Sequence, residues 1–175
     1  MSKTELALGP AAKKFDGYQL FWVFGQTTPL LRSKLVNFWL NHKAIIDETS
    51  AWLRTFEVTC IILNDKEDIV GVSSVAPFKL NQSAENFWFY RAFIDSRYSI
   101  DSLKFSMGFS LLDKTFENLQ LFSTEQGAPK GMLIKAENQK FKRDALAGLI
   151  EAAGFSRLNG LSLGGDYWQK HFKPN

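Results

Sequence analysis

The stretch that most constrains this chain runs from Glu85 to Leu121. It joins an aromatic segment at residues 87–93 (FWFYRAF), a polar turn at 94–102 and a long amphipathic segment. Seven residues rich in Phe, Trp and Tyr suit a pleated, buried surface, so 87–93 predicts a strand. Asp101 or Ser102 can then cap a helix in which Leu103, Met107, Leu111, Leu112, Phe116 and Leu119 recur at intervals of three and four. A strand, turn and helix start of this kind leaves unpaired N–H groups and the positive end of the helix dipole pointing out of the turn, where an anion can be held. Gly108, halfway down the helix, costs about 1 kcal/mol relative to alanine and so predicts close packing against the sheet.

At 175 residues and 45% hydrophobic, the chain can build one domain with a substantial core, whereas two would be cramped. The 16 Phe and 5 Trp make large rings the main packing units. A balance of 21 basic to 18 acidic residues, net +3, is too weak to imply nucleic acid but suits an acidic cofactor. The single cysteine, Cys60, lies in the apolar run 58–63, which excludes an internal disulfide and predicts a buried thiol. No segment approaches the ~20 apolar residues needed to span a bilayer. Residues 6–12, interrupted by Gly9 and Pro10, do not form a signal-peptide core, so a soluble, cytoplasmic protein is expected.

Residues 1–17 read as a flexible polar lead and 18–175 as a single domain. Within the domain, 18–24 (YQLFWVF) predicts a strand, Thr28-Pro29 starts a helix carrying Leu31, Leu35, Phe38 and Trp39, and 45–56 predicts a second helix with Trp52, Leu53 and Phe56 on one side. Two strands at 58–63 and 69–75 flank the charged turn 64–68 (NDKED) as a hairpin, and 77–84 reads as a polar loop before the strand 87–93. Beyond the long helix, 131–136 (GMLIKA) predicts a strand. A helix from Asn138 to the stop at Gly154 follows, and two short strands flank Gly164 and Gly165. The fold class is therefore α/β (α+β), a mainly antiparallel mixed sheet with flanking helices in the order β-α-α-β-β-β-α-β-α-β-β.

That order, the strand-turn-helix junction and the Ala152-Ala153-Gly154-Phe155 ending of the last helix resemble the GNAT superfamily of N-acyltransferases over residues 18–172. The resemblance implies acetyl-CoA or another acyl-CoA as donor and an amine of a small molecule or protein as acceptor. It also implies that the strands ending near Phe93 and Glu137 splay apart. The pantetheine arm then pairs with the freed main chain like an added strand, along Ala92, Phe93 and Ile94. The pyrophosphate falls on the backbone of residues 98–103, near Leu103, with Asn138 beside the cofactor. Aligned on Arg97, the family's phosphate loop has glycine where this chain has Ile100, and glycine or alanine where it has Ser102. A β-branch at that point resists positive φ. Arg97 and Lys104 would then supply charge, and Ser96, Ser99 and Ser102 hydroxyls.

Family members often place an acidic tyrosine four residues before the Gly-Phe pair; Ile150 stands there and cannot donate a proton. The acid role then passes to Tyr98 or Tyr167. Among Glu85, Asp95 and Asp101, the carboxylate where the strand leaves the sheet, Asp95, is the first choice as base or amine-binding group, against its simpler reading as a turn residue. His42 reads as a helix C-terminal residue and His171 as a solvent-edge residue. Neither has metal-ligand spacing, so no metal site is expected. The five tryptophans read as core. Acceptor contacts are expected from 28–56, 77–84 and 161–166, rich in Trp and Phe, which suits a partly apolar acceptor or acyl chain. The contrasting reading is a GNAT-like domain without transfer activity, a ligand-binding or interaction module. Its basic run Lys130, Lys135, Lys140, Lys142 and Arg143 would then be its one contact with nucleic acid, although such a run is usually a solvated face. The oligomeric state, homodimer included, is left open by the residues.

Overall fold

The structure, a computed structural model, describes residues 6–80, 85–98, 101–124, 127–136, 143–158 and 166–173. Among the described residues the strands are β1 (Lys13–Phe15), β2 (Tyr18–Trp22), β3 (Val58–Leu63), β4 (Ile69–Lys79), β5 (Asn86–Ile94), β6 (Gly131–Ala136), β7 (Ser156–Leu158) and β8 (Asp166–His171). Four α-helices are α1 (Pro29–Asn41), α2 (Glu48–Arg54), α3 (Asp101–Leu121) and α4 (Arg143–Ala152). The sheet order is β1-β2-β3-β4-β5-β6-β8-β7. β5 and β6 pair in parallel from Trp88↔Met132 to Tyr90↔Ile134, while β1-β2, β2-β3, β3-β4, β6-β8 and β7-β8 are antiparallel. The chain forms two compact units, Met1–Ser74 with Ala92–Thr115, and Val75–Arg91 with Phe116–Asn175.

In the first unit β3 explains its own sequence. All six residues of VTCIIL are buried because both faces of the sheet are covered, so the run is continuous rather than alternating. Ile61 and Leu63 join Phe21, Leu31, Leu35, Phe38 and Trp39 in a cluster with α1. Cys60 and Ile62 join Leu20, Val70, Met107 and Leu111 in a cluster with α3. Burial pushes the Cys60 thiol up to about 12, far from the reactive range. α1 begins as its sequence predicts: the Thr28 hydroxyl accepts from Leu31 N at 3.2 Å and Pro29 takes the first helical position.

Three polar residues inside this core form a hydroxyl ring, from which Thr115 Oγ1 also reaches Cys60 Sγ at 3.7 Å. The hydroxyls of Thr59, Ser73 and Thr115, on β3, β4 and α3, lie 2.9, 3.0 and 3.1 Å apart, all fully buried. Each hydroxyl can donate once and accept once around such a ring, which satisfies all three. Thr115→Val keeps the side-chain shape but leaves a buried donor without an acceptor. It is expected to lower unfolding stability by about 1–2 kcal/mol in urea titration, with an unchanged m-value.

In the second unit Leu80, Phe87 and Leu133 form one buried cluster, and the Phe116 ring meets those of Phe155 and Phe172 at 6.0 and 5.0 Å between centroids. Lys170 carries its ammonium over the Phe116 ring at 4.0 Å and donates to the Ala153 carbonyl at 2.8 Å, closing the C-terminal end of α4.

Several sequence expectations differ from the structure. Residues 13–15 of the polar lead form β1, because Asp16 and Gly17 (φ 44° and 80°) build a tight hairpin turn whose Asp-Gly signal stands in the sequence. Leu6, also in the lead, is buried. β4 continues through residues 77–79, expected as loop: Pro77 and Lys79 face outward while Phe78 packs on Phe89, 5.7 Å between centroids. Asn138 and the helix start expected there lie outside the described residues, where α4 begins at Arg143. α2, capped by Asp47 on Ser50 N at 2.6 Å, buries Ala51 and turns the large residues of its other face outward.

Candidate functional site

The junction of β5 with α3 is built from the sheet outward. Asp95 N still donates to the Val70 carbonyl at 2.9 Å, so the residue that leaves β5 is pinned to β4. Ile94, just before it, fills the room left by two glycines. A Cβ at Gly71 would meet its Cγ1 at 3.6 Å, and one at Gly108 would meet its Cδ1 at 3.7 Å. The close packing predicted for Gly108 is thus against this strand end. A 3₁₀ turn, Ser96–Tyr98, then carries the chain toward the first residue of α3.

Asp95 organises that turn. Its carboxylate is sealed from solvent at 0% exposure and accepts from Arg97 N at 2.9 Å, Arg97 Nε at 2.8 Å and the second guanidinium nitrogen at 2.7 Å. His42 Nε2 lies 3.6 Å from the same carboxylate. Burial pushes the carboxyl upward, but the Arg97 side-chain and backbone hydrogen bonds, with the charges of His42 and Arg97, outweigh it. They hold Asp95 below the usual carboxylate range. The His42 ring is flanked by Phe38 and Phe93, at 4.9 and 6.0 Å. A shallow cleft of about 400 Å³ opens here, lined by Lys34, Asn37, Asn41, His42, Asp68 and Arg97.

Tyr98 is half-buried; its hydroxyl accepts from Asn64 Nδ2 at 3.1 Å, and its ring meets Tyr18 edge-on at 5.8 Å. Asn64 also closes the β3–β4 turn, its Oδ1 accepting from Lys66 N and Asp68 N, both at 2.9 Å. Hairpin and junction are therefore tied together through one amide, a contact signalled only by the Asn that opens NDKED. Sequence reasoning also missed that His42, besides ending α1, faces Asp95. No local pattern brings residues 42 and 95 together; the sheet does.

The other expected site residues are dispersed. Phe93 packs on Phe38 at 5.6 Å. The backbone of Ser102, Leu103 and Lys104 forms the first turn of α3, and their side chains lie outside the described set, as do Ser99, Ile100 and Asn138 altogether. Tyr167 is buried in β8 opposite Lys135, whose ammonium lies 5.7 Å from the ring. His171 sits at the end of β8, 3.4 Å from Glu85 and edge-on to Phe87 at 5.2 Å. Among the described residues no group of three His, Cys, Asp or Glu could hold a metal ion, and no helix is long and apolar enough to cross a membrane.

A mixed sheet with a parallel neighbour pair at β5-β6 and a strand-turn-helix junction after β5 is the fold of the GNAT acetyltransferases. Solved structures share it across nearly the whole chain. A phosphinothricin acetyltransferase from Sinorhizobium meliloti matches with a TM-score of 0.61 at 11% identity over 90% of this chain and 89% of its own. The ribosomal-protein-S5-alanine acetyltransferase from Vibrio fischeri matches with a TM-score of 0.56 at 13% identity over 93% and 98%. A GNAT-family acetyltransferase from Streptococcus pneumoniae gives 0.53 at 13% over 87% and 96%. At such identities the likeness is one of fold. No family model matches the chain, and no curated protein matches it.

Proposed function

We propose that this protein is an acyl-CoA-dependent N-acyltransferase, passing an acetyl or longer acyl group to an amine of a small molecule or protein. The observation that carries the reading is the β5-turn-α3 junction within this fold; the Sinorhizobium enzyme of the same fold is seen in complex with acetyl-CoA. In this reading the donor's pantetheine arm runs along the main chain of Ala92, Phe93 and Ile94 and its phosphates meet the N–H groups that open α3. Ser99, Ser102, Leu103, Lys104 and Asn138 complete the donor contacts.

Transfer needs a neutral amine whose lone pair attacks the thioester carbonyl carbon. The C–S bond then breaks, the amine nitrogen releases a proton and the thiolate takes one up. Tyr98 and Tyr167 stay the two candidates for the acid: the Tyr98 hydroxyl accepts from Asn64, and Tyr167 is buried in β8. Asp95, closed by Arg97, serves by holding the turn in place, and the amine's proton leaves to water through the cleft beside His42.

Acetyl-CoA at about 100 times its dissociation constant is expected to add about 2.7 kcal/mol to the stability of the purified chain, read as a raised melting temperature. No rise with acetyl-CoA or any longer acyl-CoA would sink this reading. A rise that Arg97→Ala leaves unchanged would remove only the phosphate role of Arg97. One observation favours the contrasting reading, an interaction module without transfer: the Arg97 guanidinium is already engaged by Asp95. A chain that binds acyl-CoA yet releases no free CoA with any amine offered would establish that alternative.

A further inference from the structure

The inverted polarity of α2 points to a partner. An amphipathic surface helix normally buries its large apolar residues, yet here Ala51 is the residue inside, while Trp52, Leu53 and Phe56 stand 42%, 62% and 52% exposed. Ile46, just before the helix, is 88% exposed. Trp52 and Leu53 of α2 and Phe56 of the 3₁₀ turn Thr55–Glu57 that follows it are all exposed, and the Trp52 and Phe56 rings meet edge-on at 6.4 Å. At about 200 Å² for each large side chain, these fractions expose on the order of 500 Å² of apolar surface, as large as functional patches on monomers.

We propose that this face is a homodimer interface in which α2 packs antiparallel on α2 of a second copy across a two-fold axis. The charges at its ends choose the occupant. Glu48 stands at the N-terminal end; the other end carries Arg54 and Glu57, and there the Arg32 guanidinium lies over the Phe56 ring, 3.7 Å from its centroid. A two-fold axis near Trp52 and Leu53 sets Glu48 of each copy against Arg32 of the other, and the two helix dipoles oppose. An anionic lipid surface fits less well, since Asp47 and Glu48 acidify one end of the patch. With a charged rim added, the area approaches the ~800 Å² per partner of a standard interface, which suits a dimer of micromolar affinity.

Sedimentation velocity of the full chain, from low to high micromolar, should show a mass moving from one copy to two. Leu53→Asp should hold the protein monomeric, with circular dichroism and melting temperature confirming that this exposed site leaves the fold intact. Glu48→Arg and Arg32→Glu should each weaken the dimer about tenfold, and the two together should restore most of the loss. A monomer at every concentration, a dimer that survives Leu53→Asp, or single charge swaps without recovery in the double variant would each overturn the proposal. So would a monomer that pellets with phosphatidylserine vesicles, which would assign the face to a membrane.

Discussion

Gly131→Ala is expected to lower stability by about 3 kcal/mol or more, a fall of roughly 6–12 °C in melting temperature for a chain of this size. Gly131 opens β6 opposite His171 of β8, and a Cβ there would overlap the Lys170 carbonyl oxygen and lie 2.9 Å from His171 Cα. These neighbours are backbone atoms of a paired strand, so relief requires the ladder to open. Gly148→Ala is the matched control. It is an exposed position in α4 where a Cβ meets nothing within 4 Å, and helix propensity should make the change stabilising by up to about 1 kcal/mol. Differential scanning calorimetry of both variants decides the matter; equal melting temperatures would contradict the packing described.

Asp95→Ala should cost about 3 kcal/mol, and Asp95→Asn about half of that. The asparagine oxygen can still accept from Arg97 N, whereas both variants lose the charge that faces the guanidinium. The cost stays moderate because the orphaned Arg97 is 73% exposed and regains water. The sign of the pH dependence follows from the depressed carboxyl. Its contribution is fully present above the unfolded-state value of about 4 and is lost as pH falls through the lower folded-state value. The margin between wild type and Asp95→Asn should therefore shrink as pH falls below about pH 4. A margin that stays or grows below about pH 4 would mean that the carboxyl is not lowered. If the turn also carries donor phosphates, Asp95→Asn should weaken acyl-CoA binding as well, because the Arg97 guanidinium loses the charge that fixes it.

Much of this molecule is legible along the chain because its signals are local. Thr28-Pro29 and Asp47 announce helix starts through side-chain oxygens that reach backbone N–H groups three residues on. The length and aromatic content of 87–93, and the three-and-four spacing from residue 103 to 119, announce a strand and helix that the structure contains. The Asp16-Gly17 hairpin was equally local but stood in a segment whose polarity suggested a loose lead. Long-range facts were not legible. Nothing near residue 42 indicates Asp95, nothing near residue 98 indicates Asn64, and the hydroxyl ring joins residues 59, 73 and 115. The outward face of α2 was unreadable for the same reason, since a helical pattern identifies a stripe without saying whether a core lies opposite it.

The order of elements from β2 onward, the capped starts of α1 and α2 and the GNAT-like architecture followed from the sequence by itself, because hydrophobic period and capping are set by neighbours three or four residues apart. The state of the junction was decided only by tertiary structure. The carboxylate expected to meet an amine is instead sealed against Arg97 and His42, because β4 pins the end of β5 while α1 brings residue 42 to the same point. A buried charge takes whatever partners the packing supplies, and those partners come from distant parts of the chain.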